Sequence, residues 1–274
     1  MNEVTNIEGI GASVRRKEDK KFITGSGKYT DDINRPGQLY VWFVRSEVAH
    51  AEIISIDKSA AEAAEGVVAV MTGEDVAADG IGGPICGWVV TSKDGSPTNE
   101  PPHPILANEK VRYVGDHVAA VFADTLEQAR NAAELVSVSY KELPPVVDLA
   151  TAKDAEQIHE NVPGNMYFDF ELGDESAAEE ALKSAATVVE LEVRNNRLIP
   201  NAMEPRAALA EYNDIEESYT LYTTSQNPHL TRLVIGAFML SIPESKLRVI
   251  APDVGGGFGS KIYVYPEEAV CTWA

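Results

Sequence analysis

The chain has 274 residues, of which 44% are hydrophobic and 24% are charged, a composition typical of globular proteins. Acidic residues outnumber basic ones 43 to 23, and the formal net charge of −20 disfavours binding to nucleic acid or to anionic lipid. No stretch approaches the length of about 18 apolar residues that a transmembrane helix needs. Residues 1–21 lack the apolar segment of a secretory signal, so the sequence predicts a cytoplasmic protein without a membrane span.

The first half of the chain alternates predicted strands with short helices. Dense β-branched and aromatic residues predict strands at 38–46, 51–57, 67–73, 117–123 and 136–143. A short alanine-rich helix is predicted between Ser59, as its N-cap, and Gly66, which would end it. Residues 77–108 are rich in Gly, Pro, Ser and Asn and are predicted to be mainly loop.

A clearer helix is predicted between the strands at 117–123 and 136–143. Thr125 is its expected N-cap, with Gln128 at the capping-box position. Four apolar residues recur at spacings of three and four, which predicts one buried face made of Leu126, Ala129, Ala133 and Val136.

Proline and glycine residues between 144 and 165 mark an expected domain boundary. Beyond it, helices are predicted at 176–186 and 227–240, and strands at 187–197, 207–213, 218–226 and 246–252. Pro266, Glu267 and Glu268 open a last helix, because acidic residues favour a helix N-terminus. The sequence ends soon after that opening, so we expect a truncated second domain in an α+β fold.

The two cysteines, Cys86 and Cys271, are isolated in the sequence. Their spacing does not match a zinc or iron–sulfur motif, so no such site is expected within the chain. A pair of buried thiols is favoured over a disulfide.

A glycine-rich stretch, "DVGGGFGSK" at residues 253–261, follows the last predicted strand. It is not a P-loop, because Ser260 separates Gly259 from Lys261, and it lacks the third glycine of a dinucleotide-binding fingerprint. Consecutive glycines let several backbone N–H groups converge on one anionic group. A tight turn without a ligand explains the local sequence equally well.

Three segments in close succession carry a resemblance. Residues 199–212, 221–232 and 248–268 resemble the start of the molybdopterin-binding large subunit of the xanthine dehydrogenase and aldehyde oxidase family. The resemblance is closest to the branch of aerobic carbon monoxide dehydrogenase large subunits. Earlier segments, at 10–33, 50–57, 66–75 and 113–148, resemble the α/β hammerhead domain of that family.

The resemblance implies a domain plan. Residues 1–20 would form an N-terminal arm, 21–147 an α/β hammerhead domain and 148–165 a linker. Residues 166–274 would form the first part of a mixed α+β molybdopterin-binding domain.

The resemblance also implies site residues. Gln226 matches a glutamine whose side chain approaches an oxygen ligand of molybdenum. Gly256, Gly257, Phe258 and Gly259 match a loop whose backbone amides contact the cofactor, and Phe258, like Gln226, would lie near the metal without binding it. The catalytic base would lie downstream of residue 274, so no catalytic residue is expected within the chain.

The implied activity is that of a molybdenum-containing oxidoreductase, which oxidises carbon monoxide, an aldehyde or an N-heterocycle with oxygen from water. Its molybdopterin would be in the cytosine dinucleotide form. Its partners would be an iron–sulfur small subunit and an FAD-binding medium subunit. The 274 residues alone are expected to be inactive, and a non-catalytic molybdopterin-binding module or a truncated remnant stays open as the alternative.

Several other polar residues admit a functional or a structural role, and the structural role is favoured for each. Glu204 and Arg206 line the approach to the active site or form an ion pair at a strand edge. Lys261 neutralises a cofactor phosphate or is a solvated loop charge. Structural positions are also preferred for His50, His117 and His229, and core positions for Tyr222 and Phe238.

Overall fold

The protein is described by a computed structural model that covers residues 9–274. The predicted N-terminal arm therefore lies partly outside the described residues. The elements up to residue 142 are α1 (Asp19–Ile23), β1 (Tyr40–Arg45), β2 (Ala51–Asp57), α2 (Ser59–Glu62), β3 (Val67–Thr72), α3 (Gly73–Ala78), β4 (Lys110–Val111), β5 (His117–Ala123), α4 (Leu126–Ala133) and β6 (Ser137–Glu142). The remaining elements are α5 (Glu175–Ser184), β7 (Ala208–Asn213), β8 (Ser218–Thr223), α6 (Pro228–Leu233), β9 (Leu247–Ile250) and α7 (Pro266–Trp273).

The first half of the chain forms two antiparallel three-stranded sheets. One sheet has the order β1-β5-β3 and the other has the order β4-β2-β6. All seven residues of β5 are buried, because the strand pairs on both edges and α4 packs against it. This burial explains why its sequence, "HVAAVFA", is an apolar run without the alternation of a half-exposed strand.

The predicted start of α4 is confirmed. The Thr125 hydroxyl accepts a hydrogen bond from the Gln128 backbone N–H at 3.2 Å, which satisfies one of the free amides at the helix N-terminus. The predicted buried face is partly wrong, because Leu126 is half exposed whereas Ala129, Ala132 and Ala133 are buried. Ser59 is also the first residue of α2 and not its N-cap.

The second half contains one mixed three-stranded sheet. β7 and β8 form an antiparallel hairpin, and β9 runs parallel to β8 on its other edge. A turn of π-helix, Val234–Met239, continues α6 and leads back toward β9. α7 packs against β7 and β8, and its first turn is capped by the Glu268 carboxylate, which accepts from the Tyr265 backbone N–H at 2.9 Å.

Both halves of the chain contribute to one hydrophobic core. Buried side chains of the first half, such as Leu106 and Phe122, belong to the same cluster as Leu221, Ile235 and Val270 of the second. The expected domain bounds stay a prediction, but the junction between the two halves is an apolar contact. This core therefore holds the sheet of the second half, β7-β8-β9, against the first half of the chain.

The predicted strand at 187–197 is wrong. Every residue from 168 to 201 is exposed, including Val189 and Leu191, and no segment among residues 9–274 pairs with 187–197. Helix α5 forms as predicted, but it buries none of its residues. An alternating apolar pattern makes a strand only when a neighbouring strand supplies hydrogen bonds.

Two smaller predictions are also corrected. Phe238, expected in the core, is 47% exposed, whereas Tyr222 is half-buried and receives a hydrogen bond from Arg35. Cys86 and Cys271 are both free and both half-buried.

None of the helices in residues 9–274 has the length and apolarity needed to cross a bilayer.

Candidate functional site

The glycine loop, residues 253–261, follows β9 and lies beyond the carboxyl ends of the parallel strands β8 and β9. Gly256 and Gly259 have φ angles of 100° and 89°, in the left-handed region that glycine tolerates best. Phe258 has a φ of 50°, also in that region, and the residue is 74% exposed. A bulky residue in this conformation is uncommon and indicates a loop held in shape by its surroundings.

Two other glycines are required by close approach of the chain's own side chains. A Cβ atom on Gly255 would lie 2.5 Å from the Cβ of Glu204. A Cβ on Gly257 would lie 2.3 Å from Oε1 of Gln226. The absence of side chains at these positions therefore makes room for Glu204 and Gln226, in addition to any room it makes for a ligand.

Gln226, in the segment between β8 and α6, is bound to the glycine loop. Its Oε1 accepts from the backbone N–H of Gly259 at 3.0 Å and of Lys261 at 3.3 Å. Its own backbone N–H donates to the Lys261 carbonyl oxygen at 2.8 Å. Two amides thus engage Oε1, and Nε2 has no acceptor among residues 9–274, so it can donate to another partner.

Three consecutive backbone amides of the glycine loop have no partner in the described part of the chain. No acceptor among residues 9–274 receives the N–H groups of Gly256, Gly257 and Phe258. Gly259 differs, because its N–H is engaged by Gln226. Unpaired adjacent amides form the kind of backbone site that binds anionic oxygen or sulfur.

Glu204 and Lys261 form a buried ion pair beside the loop. Lys261 Nζ lies 3.0 Å from Glu204 Oε2, and the two side chains are 2% and 11% exposed. The prediction that Lys261 is a solvated loop charge is therefore wrong. Glu204 Oε2 also accepts from the Gly255 backbone N–H at 2.7 Å, which joins the carboxylate to the loop.

Arg206 takes a different position from the expected ion pair at a strand edge. Its guanidinium donates to the Ser260 carbonyl oxygen and lies over the Tyr265 ring, with Cζ 3.2 Å from the ring centroid. Arg206 thus links the end of the glycine loop to the start of α7 through a carbonyl and a cation–π contact.

Asp253, at the start of the loop, contacts Lys21 and Lys28, and the sequence analysis did not predict this. Its Oδ2 accepts from the Lys28 backbone N–H at 2.8 Å and pairs with Lys21 Nζ at 2.5 Å. The Asp253 backbone N–H donates in turn to the Lys28 carbonyl oxygen at 3.0 Å. The Lys21 hydrogen bond, followed by that of Lys28, lowers the pKa of Asp253, so this carboxylate is charged at neutral pH.

The histidines lie apart from the loop contacts. His229 is exposed, and His50 is buried with Nδ1 3.0 Å from the Pro144 carbonyl oxygen. His117 is buried at the start of β5, where Nε2 lies 2.9 Å from Oε1 of Glu267. Burial alone would raise the pKa of Glu267, but His117 and Arg45 outweigh it and lower the pKa to about 2.

A separate cavity of about 430 Å³ lies between β1, β7 and α7. Its lining includes Trp42, Arg206, Glu268 and Cys271. Burial raises the pKa of Glu268 despite the hydrogen bond from Thr223, and burial followed by the charges of Glu267 and Glu268 raises the pKa of Cys271 to about 12. The described residues contain no group of three or more His, Cys, Asp and Glu side chains placed to bind a metal ion.

Two protein-family models match the chain along most of its length. The model described as "Aldehyde oxidase and xanthine dehydrogenase, a/b hammerhead domain" matches residues 24–144. The model described as "Molybdopterin cofactor-binding domain" matches residues 158–274, which include Gln226 and the glycine loop. The chain belongs to the aldehyde oxidase and xanthine dehydrogenase family. The predicted fold, a hammerhead domain followed by a molybdopterin-binding domain, is confirmed.

Relatives in this family match nearly the whole chain. The carbon monoxide dehydrogenase large chain of Hydrogenophaga pseudoflava is 36% identical over 95% of this chain and 33% of its own length. The nicotine 6-hydroxylase large subunit of Paenarthrobacter nicotinovorans is 35% identical over 94% of this chain and 31% of its own length. The chain thus spans about a third of the length of these relatives.

Solved structures in this family agree with the fold. Quinoline 2-oxidoreductase from Pseudomonas putida 86 superposes with a TM-score of 0.82 at 35% identity, covering 96% of this chain and 33% of the other. A Cu,Mo-CO dehydrogenase superposes with a TM-score of 0.80 at 34% identity, covering 97% and 34%. The roles of Gln226, Gly256, Gly257, Phe258 and Gly259 stay a prediction from the resemblance.

Proposed function

We propose that Gln226 and the glycine loop form one wall of the molybdopterin site in the large subunit of a molybdenum hydroxylase. The observation that carries the proposal is that the amides of Gly256, Gly257 and Phe258, and Nε2 of the neighbouring Gln226, find no acceptor within the described part of the chain. The match of residues 158–274 to the molybdopterin cofactor-binding domain supports the same assignment.

The residues present fit a multiply anionic cofactor. Backbone amides are donors, and they approach phosphate oxygens or dithiolene sulfurs without the obstruction of long side chains. The Lys261 ammonium does not bind the anionic atoms of the cofactor in this arrangement, because it already donates to Glu204. The cofactor would therefore be held here by backbone donors and by the amide of Gln226.

When bound, the molybdenum cofactor supplies a two-electron oxidation in which water provides the oxygen transferred to the substrate. Within this chain, the amides of Gly256, Gly257 and Phe258 would orient the cofactor, and Gln226 Nε2 would donate to an oxygen near the metal. Phe258 would place its exposed ring at the border of the site. We assign no catalytic base to the described residues and place that group in a part of the protein outside these 274 residues.

The finer features of the enzyme follow the same proposal. The pterin would be in the cytosine dinucleotide form, and the substrate would be carbon monoxide, an aldehyde or an N-heterocycle. An iron–sulfur small subunit and an FAD-binding medium subunit would accept the electrons, in a cytoplasmic complex. The relatives named as a large chain and a large subunit support this division of labour.

The first experiment is to purify the protein from its source and to measure its molybdenum, its pterin and the nucleotide released by acid hydrolysis. We expect stoichiometric molybdenum and pterin, with cytidine monophosphate as the nucleotide. A protein that contains neither molybdenum nor pterin would overturn the proposal. Stoichiometric cofactor without oxidation of any substrate class, with an artificial electron acceptor present, would favour the non-catalytic binding module instead.

A further inference from the structure

Two positions of the glycine loop, Gly255 and Lys261, both contact one residue, Glu204. At the first glycine, the Glu204 backbone N–H donates to the Gly255 carbonyl oxygen at 3.2 Å, and Oε2 accepts from the Gly255 N–H at 2.7 Å. At the other end, Lys261 Nζ donates to the Glu204 carbonyl oxygen at 2.9 Å and to Oε2 at 3.0 Å. Glu204 therefore fixes the distance between Gly255 and Lys261, which lie on either side of Gly256, Gly257 and Phe258.

Lys261 adds a link from this pair to Gln226. Its backbone N–H donates to Gln226 Oε1, and its carbonyl oxygen accepts from the Gln226 N–H. The same residue thus connects the buried carboxylate to the glutamine that we place near the metal. A shift of Lys261 would move both the loop and the Gln226 side chain.

We propose that Glu204 and Lys261 are positioning residues, whose buried ion pair holds the glycine loop and Gln226 in the geometry that binds the cofactor. This inference rests on the proposed function. In it, Lys261 acts on the cofactor only through the loop, since its ammonium is turned to Glu204 and not to a phosphate.

Burial explains why the charges must be paired. A lysine that is 2% exposed has lost its hydration, so it needs a counter-charge and hydrogen-bond acceptors within the protein. Removing the charge of Glu204 alone would leave the ammonium of Lys261 uncompensated and drive it toward solvent, with residues 255–261 following it. Removing both charges together would relieve that force, and the loop would lose only the links from Lys261 Nζ to Glu204.

The test compares Glu204→Gln, the double variant Glu204→Gln/Lys261→Met and wild type in the cofactor-loaded protein. The matched control is Glu179→Gln, which breaks an ion pair with Lys183 of the same 3.0 Å length that is exposed on α5. Two quantities are measured: the hydrogen-exchange rates of the Gly259 and Lys261 amides, which are hydrogen-bonded to Gln226, and the rate of molybdenum and pterin loss during dialysis.

We expect E204Q to increase the exchange and the cofactor-loss rate about tenfold or more, because local opening exposes these amides and releases the ligand. The double variant should exchange more slowly than E204Q but faster than wild type, since it lacks both the uncompensated charge and the links from Lys261 Nζ to Glu204, and E179Q should change neither rate. An E204Q protein that behaves like E179Q overturns the inference. A double variant that exchanges as fast as E204Q also overturns it. The failure of both variants to fold would overturn it as well.

The exchange measurement separates this inference from the proposed function. It is repeated on protein from which the cofactor has been removed, where only contacts within the protein hold the loop. Wild-type protein that never contains molybdenum or pterin overturns the proposed function, while the difference in exchange between E204Q and the double variant still decides the role of the pair.

Discussion

Strand β5 and residues 187–197 have similar sequences but different structures. Both are rich in β-branched and apolar residues, "HVAAVFA" in one and "TVVELEVRNNR" in the other. β5 is buried at all seven positions between β1 and β3, whereas 187–197 is exposed throughout and forms no strand. The difference shows that strand composition indicates a capacity for pairing, and that the neighbouring strands decide whether a strand forms.

The largest expected effect tests this difference directly. Val121→Asp should cost about 4 kcal/mol or more of unfolding free energy, because it places an unpaired carboxylate in a fully buried position of β5. Val189→Asp should cost less than about 0.5 kcal/mol, since Val189 is 86% exposed. Urea unfolding of both variants is the measurement. A large cost for Val189→Asp would show that 187–197 is paired in the protein and would break the comparison.

The second prediction concerns the polar anchor at the start of β5, where His117 and Arg45 contact Glu267. The pKa of Glu267 is lowered to about 2, so its carboxylate stabilises the fold fully above about pH 4.5. That contribution, about 3 kcal/mol, should be lost as the pH falls from about 4.5 to 2.

Unfolding free energy measured against pH for wild type and Glu267→Gln checks this prediction. The difference between them should be largest near neutral pH and should vanish near pH 2. Glu160→Gln is the control, because Glu160 is 87% exposed in its pair with Lys110. A difference that does not change with pH would contradict the assignment.

The third prediction concerns the glycine loop. Polar contacts hold this loop in place, whereas β5 is stabilised by apolar burial. Gly257→Ala should destabilise the loop by about 2 kcal/mol, because its Cβ would lie 2.3 Å from Gln226 Oε1 and displace that side chain. Gly87→Ala is the control, since a Cβ there meets no atom within 4 Å. Faster hydrogen exchange at Gly259 and Lys261, the amides that Gln226 accepts, is the expected signature, and equal exchange in the two variants would refute it.

The smallest expected effect is at the cap of α4, the helix that covers β5. Thr125→Ala should cost about 1 kcal/mol, because the Gln128 N–H loses its acceptor at the helix N-terminus. Thr187→Ala, in the exposed segment, should leave the unfolding free energy unchanged. Thermal unfolding of the two variants tests whether α4 contributes to holding β5, and equal midpoints would show that the cap has no such role.

Local patterns predicted most of the regular elements. The strand 117–123, the cap at Thr125, the hairpin of β7 and β8 and the opening of α7 at Pro266 all depend on residues close in sequence. The prediction of the buried face of α4 was less accurate, because the sheet beneath it determines which side of a short helix is buried.

The site was predicted in part, and for two different reasons. The resemblance named Gln226 and the glycine loop, and the structure brings them into contact. It did not reveal that Glu204 and Asp253 hold the loop, because their partners lie far away along the chain. The acidic residue that precedes Pro205 and Arg206 was a visible signal, but an ion pair with Lys261 requires the tertiary fold.

The contact between Lys28 and Asp253 has a consequence for the order of folding. The two residues are 225 positions apart, so their pairing requires the chain between them to be already gathered, at a large cost in conformational entropy. During synthesis, Lys28 leaves the ribosome long before its partner exists, and the first two sheets can form in the interval. The glycine loop therefore reaches its final shape late, after the third sheet, β7-β8-β9, has been translated.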